Sequence, residues 1–136
     1  MRLKSLTYTS VARPDLQPTD IAAIHHVSLD LNALEGITGI LIYNGERFLQ
    51  VIEGAETAID DLLRRLLADG RHSQVKVEDE RHIAEREFAD WTMKLAQVSI
   101  SYLEAQEDIV RELPGALPNS VRSRVLELTA GISRPT

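Results

Sequence analysis

The sequence contains no cysteine. That absence excludes disulfides, thiolate metal sites and cysteine nucleophiles together, and it fits a reducing cytoplasm. A basic surplus is missing as well. Fifteen Lys and Arg stand against 21 Asp and Glu, for a formal net charge of −6. Nucleic acid and anionic membrane surfaces both call for clustered positive charge, so neither is an expected partner. No apolar run reaches the ~18 residues of a membrane span. The opening Met1-Arg2-Leu3-Lys4-Ser5-Leu6-Thr7-Tyr8 lacks the apolar core of a signal peptide. A cytoplasmic location is therefore expected. Nucleotide-binding glycine loops and the G-x-S-x-G nucleophile elbow are absent. His25, His26, His72 and His82 include no i,i+4 pair, so no helical metal site is expected. Aromatic residues make up only 4% of the chain, yet Tyr8 and Trp91 fall in strand-like segments.

What is present suits one globular domain: 136 residues, 43% of them hydrophobic and 26% charged. Residues 2–10 alternate as a short strand. Pro14 and Pro18 mark a loop, and Thr19-Asp20 starts a helix over 20–32 with Ile21, Ile24, Val27 and Leu31 at helical spacing. The segment 36–54 has Asn44-Gly45 between two strand-like runs, the signature of a hairpin with a two-residue turn. With those two residues as the loop, Tyr43 pairs with Glu46, Leu41 with Phe48 and Gly39 with Gln50. One face then carries Ile37, Gly39, Leu41, Phe48, Gln50 and Ile52. The other carries Ile40, Ile42, Leu49 and Val51. Both faces are apolar, so both must be covered.

A second helix is expected over 55–69, with a stripe of Ile59, Leu62, Leu63, Leu66 and Leu67 and Gly70 ending it. Segments 75–83 and 91–99 read as further strands. The order β-α-β-β-α-β-β predicts an α+β, ferredoxin-like sheet with two helices on one face. Residues 101–136 read as two helices separated by Pro114-Gly115, the second capped by Asn119 or Ser120. They are expected to cover the other sheet face or a partner.

Three polar features interrupt this pattern. Gln50 lies mid-strand on an apolar face, opposite Gly39 in the expected register; a buried amide without partners costs about 1–3 kcal/mol. Ser28 and Asn32 lie four apart at the rim of the first helix's apolar stripe. Arg65, Asp69, Arg71 and His72 cluster around the end of the second helix. Each has a plain reading: a satisfied amide, a polar helix boundary, a solvated helix end with an Arg65–Asp69 pair. Each also has a functional reading: Gly39 leaves room for something to approach Gln50 closely, Ser28 and Asn32 can hold a planar polar ligand, and the Arg65 cluster can meet an anionic or polar ligand tail.

Taken together, Tyr8, Asn32, Gly-Ile-Thr-Gly at 36–39, Phe48-Leu49-Gln50, Glu53-Gly54 and Phe88-Ala89-Asp90-Trp91-Thr92-Met93 resemble the BLUF domain, a sensor of blue light using flavin. The resemblance covers about residues 2–98. It implies a flavin-binding domain over 1–98 and a helical extension over 99–136. It also implies FAD, bound non-covalently between the two helices on one sheet face. On that reading Tyr8 donates an electron and a proton to the excited flavin, and Gln50 is the switching amide between them. Asn32 holds the ring's polar edge with Ser28 nearby, while Ile24, Phe48 and Leu66 pack on the ring. Arg65, Asp69, Arg71 and His72 meet the ribityl, phosphate or adenine end. Trp91 and Met93 flank Gln50 from the fifth strand. Leu31 departs from the family pattern, in which a polar residue commonly precedes the flavin-holding Asn. The implied function is light sensing without turnover, with the signal passed by association to a downstream protein or a second copy of the chain. A flavin-dependent redox enzyme and a cofactor-free interaction module are the competing readings of the same scaffold.

Overall fold

The computed structural model describes residues 2–68, 72–89, 91, 93–113 and 117–135, without the side chains of 27–34 and 72. Five strands form one sheet: β1 (Leu3–Ala12), β2 (Thr38–Tyr43), β3 (Arg47–Ala55), β4 (His72–Ile83) and β5 (Lys94–Gln97). Their order is β4-β1-β3-β2-β5. All neighbouring pairs are antiparallel except β2 with β5, which run parallel. The first four strands with helices α1 (Pro18–Glu35) and α2 (Glu56–Leu67) make the ferredoxin-like unit. Helices α3 (Tyr102–Glu112) and α4 (Asn119–Ile132) complete the chain.

Local chemistry explains the element ends. Pro18 opens α1, where its missing N–H costs nothing. Asp20, the third residue of the helix, reaches back to accept the Gln17 N–H at 2.8 Å, one half of a capping box. The α1 helix runs to Glu35, three residues beyond the expected 32. Neither Asn119 nor Ser120 caps α4; Pro118 takes the cap position and makes no side-chain cap bond. The expected helix ends at Gly70 and Pro114-Gly115 lie outside the described residues.

Strand alternation puts the two sheet faces into two cores. Leu6, Leu41, Phe48 and Ile52 join Ile21 and Ile24 of α1 and Ile59 of α2 on one face. Ile40, Ile42, Leu49 and Val51 join Ile109 of α3 and Val121, Val125 and Ile132 of α4 on the other. The C-terminal helices therefore cover the second apolar face.

The hairpin register differs from the expected one by two residues. Tyr43 pairs with Phe48, Leu41 with Gln50 and Gly39 with Ile52. Asn44 causes the longer loop: its Oδ1 accepts the N–H groups of Glu46 (3.0 Å) and Arg47 (2.8 Å), and Gly45 takes φ +93°. A slip of two keeps every side chain on its face, so the face assignment survives. The expected Gly39–Gln50 pairing does not. Gly39 instead allows a close backbone approach, since a Cβ there would lie 1.9 Å from the Val51 carbonyl oxygen.

Candidate functional site

The centre of the α1/α2 face is a buried chain of polar atoms. Tyr8 on β1 and Gln50 on β3 are cross-strand partners, and both are buried. The Tyr8 hydroxyl donates to Gln50 Oε1. Gln50 Nε2 in turn donates to the Met93 sulfur at 3.3 Å, a weak acceptor. The Met93 carbonyl accepts from His25 Nε2 on α1 at 2.9 Å, which places that ring's proton on Nε2. Among the described residues Gln50 makes no other side-chain hydrogen bond. One of its N–H groups and one oxygen lone pair therefore remain for a further planar partner.

The walls around this amide are apolar. Ile24 and Phe48 belong to the same core, and Phe48 stacks on Tyr43 with ring centroids 4.7 Å apart. Leu66 on α2 is half-buried. Arg65, one residue earlier, reaches across to Glu35 at the end of α1 (3.0 and 3.2 Å) and also lies 3.5 Å from Asp61. Among the described residues, the buried Nε of Arg65 has no hydrogen-bond partner. The guanidinium charge is paired with Glu35 and Asp61, and its remaining N–H, between the ends of α1 and α2, suits a polar ligand tail. A flavin, with a polar ring edge and a polar chain beyond it, fits both the spare amide groups and this donor.

The structure separates Trp91 from Met93. The expectation that both flank Gln50 from the fifth strand assumed that 91–99 is one strand. Strand β5 starts only at Lys94, so the alternation that would put 91 and 93 on one face does not apply. Met93 packs in the α1/α2 core. Trp91 packs against the opposite core and stacks on Phe88 at 5.5 Å, and its carbonyl accepts the Gly39 N–H at 3.0 Å. Of the remaining expected site residues, Ser28 and Asn32 lie on α1 and His72 opens β4, but their side chains are outside the description. Asp69 and Arg71 lie outside the described residues.

Glu53 is a site residue whose role sequence reasoning missed. It is fully buried on β3. Its carboxylate accepts the backbone N–H groups of Glu87 (2.7 Å) and Phe88 (2.8 Å) and the Thr38 hydroxyl (3.4 Å). Burial pushes its pKa up, and the two backbone donors oppose that rise. Arg86 Nη1 adds bonds to the Glu53 carbonyl (3.0 Å) and the Thr38 hydroxyl (2.9 Å). The segment that delivers Met93 to Gln50 is thus anchored to the same strand that carries Gln50. His25 was also missed, because one histidine beside another on a helix carries no signal of a backbone partner 68 residues away.

Comparison with known proteins bears on the family and the fold. The chain is 30% identical over 135 residues to the photoactivated adenylate cyclase subunit beta of Euglena gracilis, covering 95% of this chain but 16% of that subunit. The BLUF protein BlrB in its dark state superposes with a TM-score of 0.73 at 36% identity, over 96% of both chains. Klebsiella pneumoniae BlrP1 with FMN and cyclic diGMP gives 0.73 at 31% identity, over 95% of this chain and 35% of that one. Among the described residues, no helix is long and apolar enough to cross a membrane. The family model for sensors of blue-light using FAD matches residues 3–94, and the chain belongs to that family, BLUF.

Proposed function

We propose that this flavin-binding blue-light sensor takes FAD, and that Tyr8, Gln50 and Met93 form its switch. The observation that carries this reading is the buried hydrogen-bond chain from the Tyr8 hydroxyl through the Gln50 amide to the Met93 sulfur. When bound, the flavin supplies absorption of blue light and, once excited, a strong electron acceptor. Tyr8 is the donor on the protein side, and its hydroxyl proton already points at Gln50 Oε1. Gln50 carries a donor and an acceptor on one planar group, so rotation or tautomerisation reverses its hydrogen bonds without moving net charge. Its low exposure, 6%, limits competition from water. Ile24, Phe48 and Leu66 pack on the ring. Asn32 and Ser28 hold its polar edge, and Arg65, with Asp69, Arg71 and His72, meets the chain beyond it.

Residues 1–98 act as the flavin-binding unit and 99–136 as the helical extension. The protein works in the cytoplasm and signals by association, with a downstream protein or with a second copy of itself. Two variants test the switch. Tyr8→Phe and Gln50→Leu both retain bound flavin and lose the light-induced red shift. A normal photocycle in Tyr8→Phe would remove the donor role assigned to Tyr8. Chromatography of the released cofactor distinguishes FAD from FMN.

A further inference from the structure

Arg124 of α4 sits on the sheet face opposite the Tyr8–Gln50–Met93 chain, yet it bonds to Thr7, beside Tyr8, and to Glu87, on the segment that leads to Met93. Its Nη2 donates to the Thr7 hydroxyl at 3.1 Å, and Thr7 is the residue before Tyr8, with its side chain on the reverse face. Its Nη1 donates to the Glu87 carboxylate. Glu87 is the residue whose N–H is captured by buried Glu53, at the start of the segment that ends in Met93. The same guanidinium lies 3.4 Å from Asp79 on β4. One largely buried side chain, 19% exposed, thus joins α4 to β1, to β4 and to the 86–93 segment. Arg81 adds a second, more exposed contact to Glu87 at 3.5 Å.

We propose that Arg124 is a positioning residue that couples the Gln50 switch to α4. This inference rests on the photoreceptor reading above. A rearranged Gln50 amide changes what it offers the Met93 sulfur and the Tyr8 hydroxyl. Tyr8 directly follows Thr7 on β1, and Met93 lies six residues after Glu87; Arg124 bonds to both Thr7 and Glu87. A guanidinium has fixed fork geometry, so it favours one separation of Thr7 from Glu87. A shift of the 86–93 segment relative to β1 must therefore stretch one of those bonds or move α4. The partly buried setting keeps the contacts from being screened as exposed pairs are.

The test uses the full chain loaded with flavin. Hydrogen exchange over 119–132 is measured in the dark and under blue light for the native protein, Arg124→Met, Glu87→Gln and Arg124→Lys. The native protein shows a light-minus-dark difference in α4. Arg124→Met and Glu87→Gln keep the flavin red shift and lose at least half of that difference, and Arg124→Lys retains an intermediate share. Dark recovery changes by about twofold to thirtyfold, the span of single-residue effects on coupling. A merely structural role would shift dark and lit exchange equally and leave the difference intact. Glu87→Gln carries the test if Arg124→Met does not fold. An undiminished α4 difference with the red shift intact overturns the proposal. So does a native protein that shifts red with no change in α4. Absence of the red shift in the native protein fails the photoreceptor reading itself, and the coupling with it.

Discussion

Glu53→Ala isolates the contribution of one buried carboxylate. The substitution leaves the N–H groups of Glu87 and Phe88 without their acceptor, and the Phe88 bond is fully buried. An unsatisfied buried donor costs about 1–3 kcal/mol. With one donor buried and one partly buried, the loss is about 3 kcal/mol. Unfolding entropy near the midpoint is about 2.1 cal/mol/K per residue, or about 0.3 kcal/mol/K for 136 residues. The Tm measured by circular dichroism at pH 7 should therefore fall by about 10 °C. The pH dependence has a definite sign. Burial raises the Glu53 pKa in the fold, so the native state holds this proton to higher pH than the unfolded chain does. The proton-linked part of the Glu53 contribution is fully present below the unfolded value of about 4.3 and is lost as pH rises through the folded value, while the two N–H bonds remain. The gap in Tm between the native protein and Glu53→Ala should widen as pH is lowered from 7 towards about 4.5. A fall of less than about 2 °C at pH 7, or a gap that narrows on acidification, would refute the anchoring role.

Gly39→Ala places a Cβ 1.9 Å from the Val51 carbonyl oxygen. Overpacking usually costs about 1–3 kcal/mol, and no rotamer relieves a clash with backbone, so denaturant unfolding should show a loss at or above that range. Gly131→Ala, inside α4 with open space around it, should instead stabilise by about 0.5–1 kcal/mol. Asn44→Ala removes the acceptor of the Glu46 and Arg47 N–H groups and the donor to the Ile132 carbonyl (2.8 Å); a destabilisation of about 2 kcal/mol is expected, and Asn44→Asp should recover the turn but not the tie to α4. Met93→Leu preserves volume, so stability should change by less than about 1.5 kcal/mol, while loss of the sulfur acceptor changes the dark-recovery rate. Trp91→Phe, which keeps an aromatic partner for Phe88, should change that rate less than Met93→Leu does.

The ferredoxin-like order was legible from local signals: the Thr19-Asp20 helix start, Asn44-Gly45 between two apolar runs, and the leucine stripe of α2. The faces of the β2–β3 hairpin were legible for a stronger reason: an error of two in register leaves Gln50 beside Leu41 and Phe48 on the same face. The register itself was not legible. It depends on Asn44 Oδ1 capturing two N–H groups, which lengthens the loop beyond what Asn-Gly alone suggests. Gln50 could be singled out as a polar group among apolar neighbours, and Tyr8 as one of few aromatics, in a strand-like segment. Glu53 was visible only as part of a motif, since its partners are backbone amides 34 and 35 residues away and amides leave no mark in a sequence. Which of Trp91 and Met93 lies beside Gln50 was not legible for a related reason: alternation applies only within a strand, and β5 begins after both.

The most direct test of the account is the visible spectrum of the purified protein in the dark, under blue light and during dark recovery. The account predicts a bound-flavin spectrum that shifts slightly to the red and returns, with the shift lost in Gln50→Leu. A bound flavin that bleaches or does not respond to light would contradict the switch assigned to Tyr8 and Gln50. A protein that stays colourless after addition of FAD would contradict the flavin site as a whole.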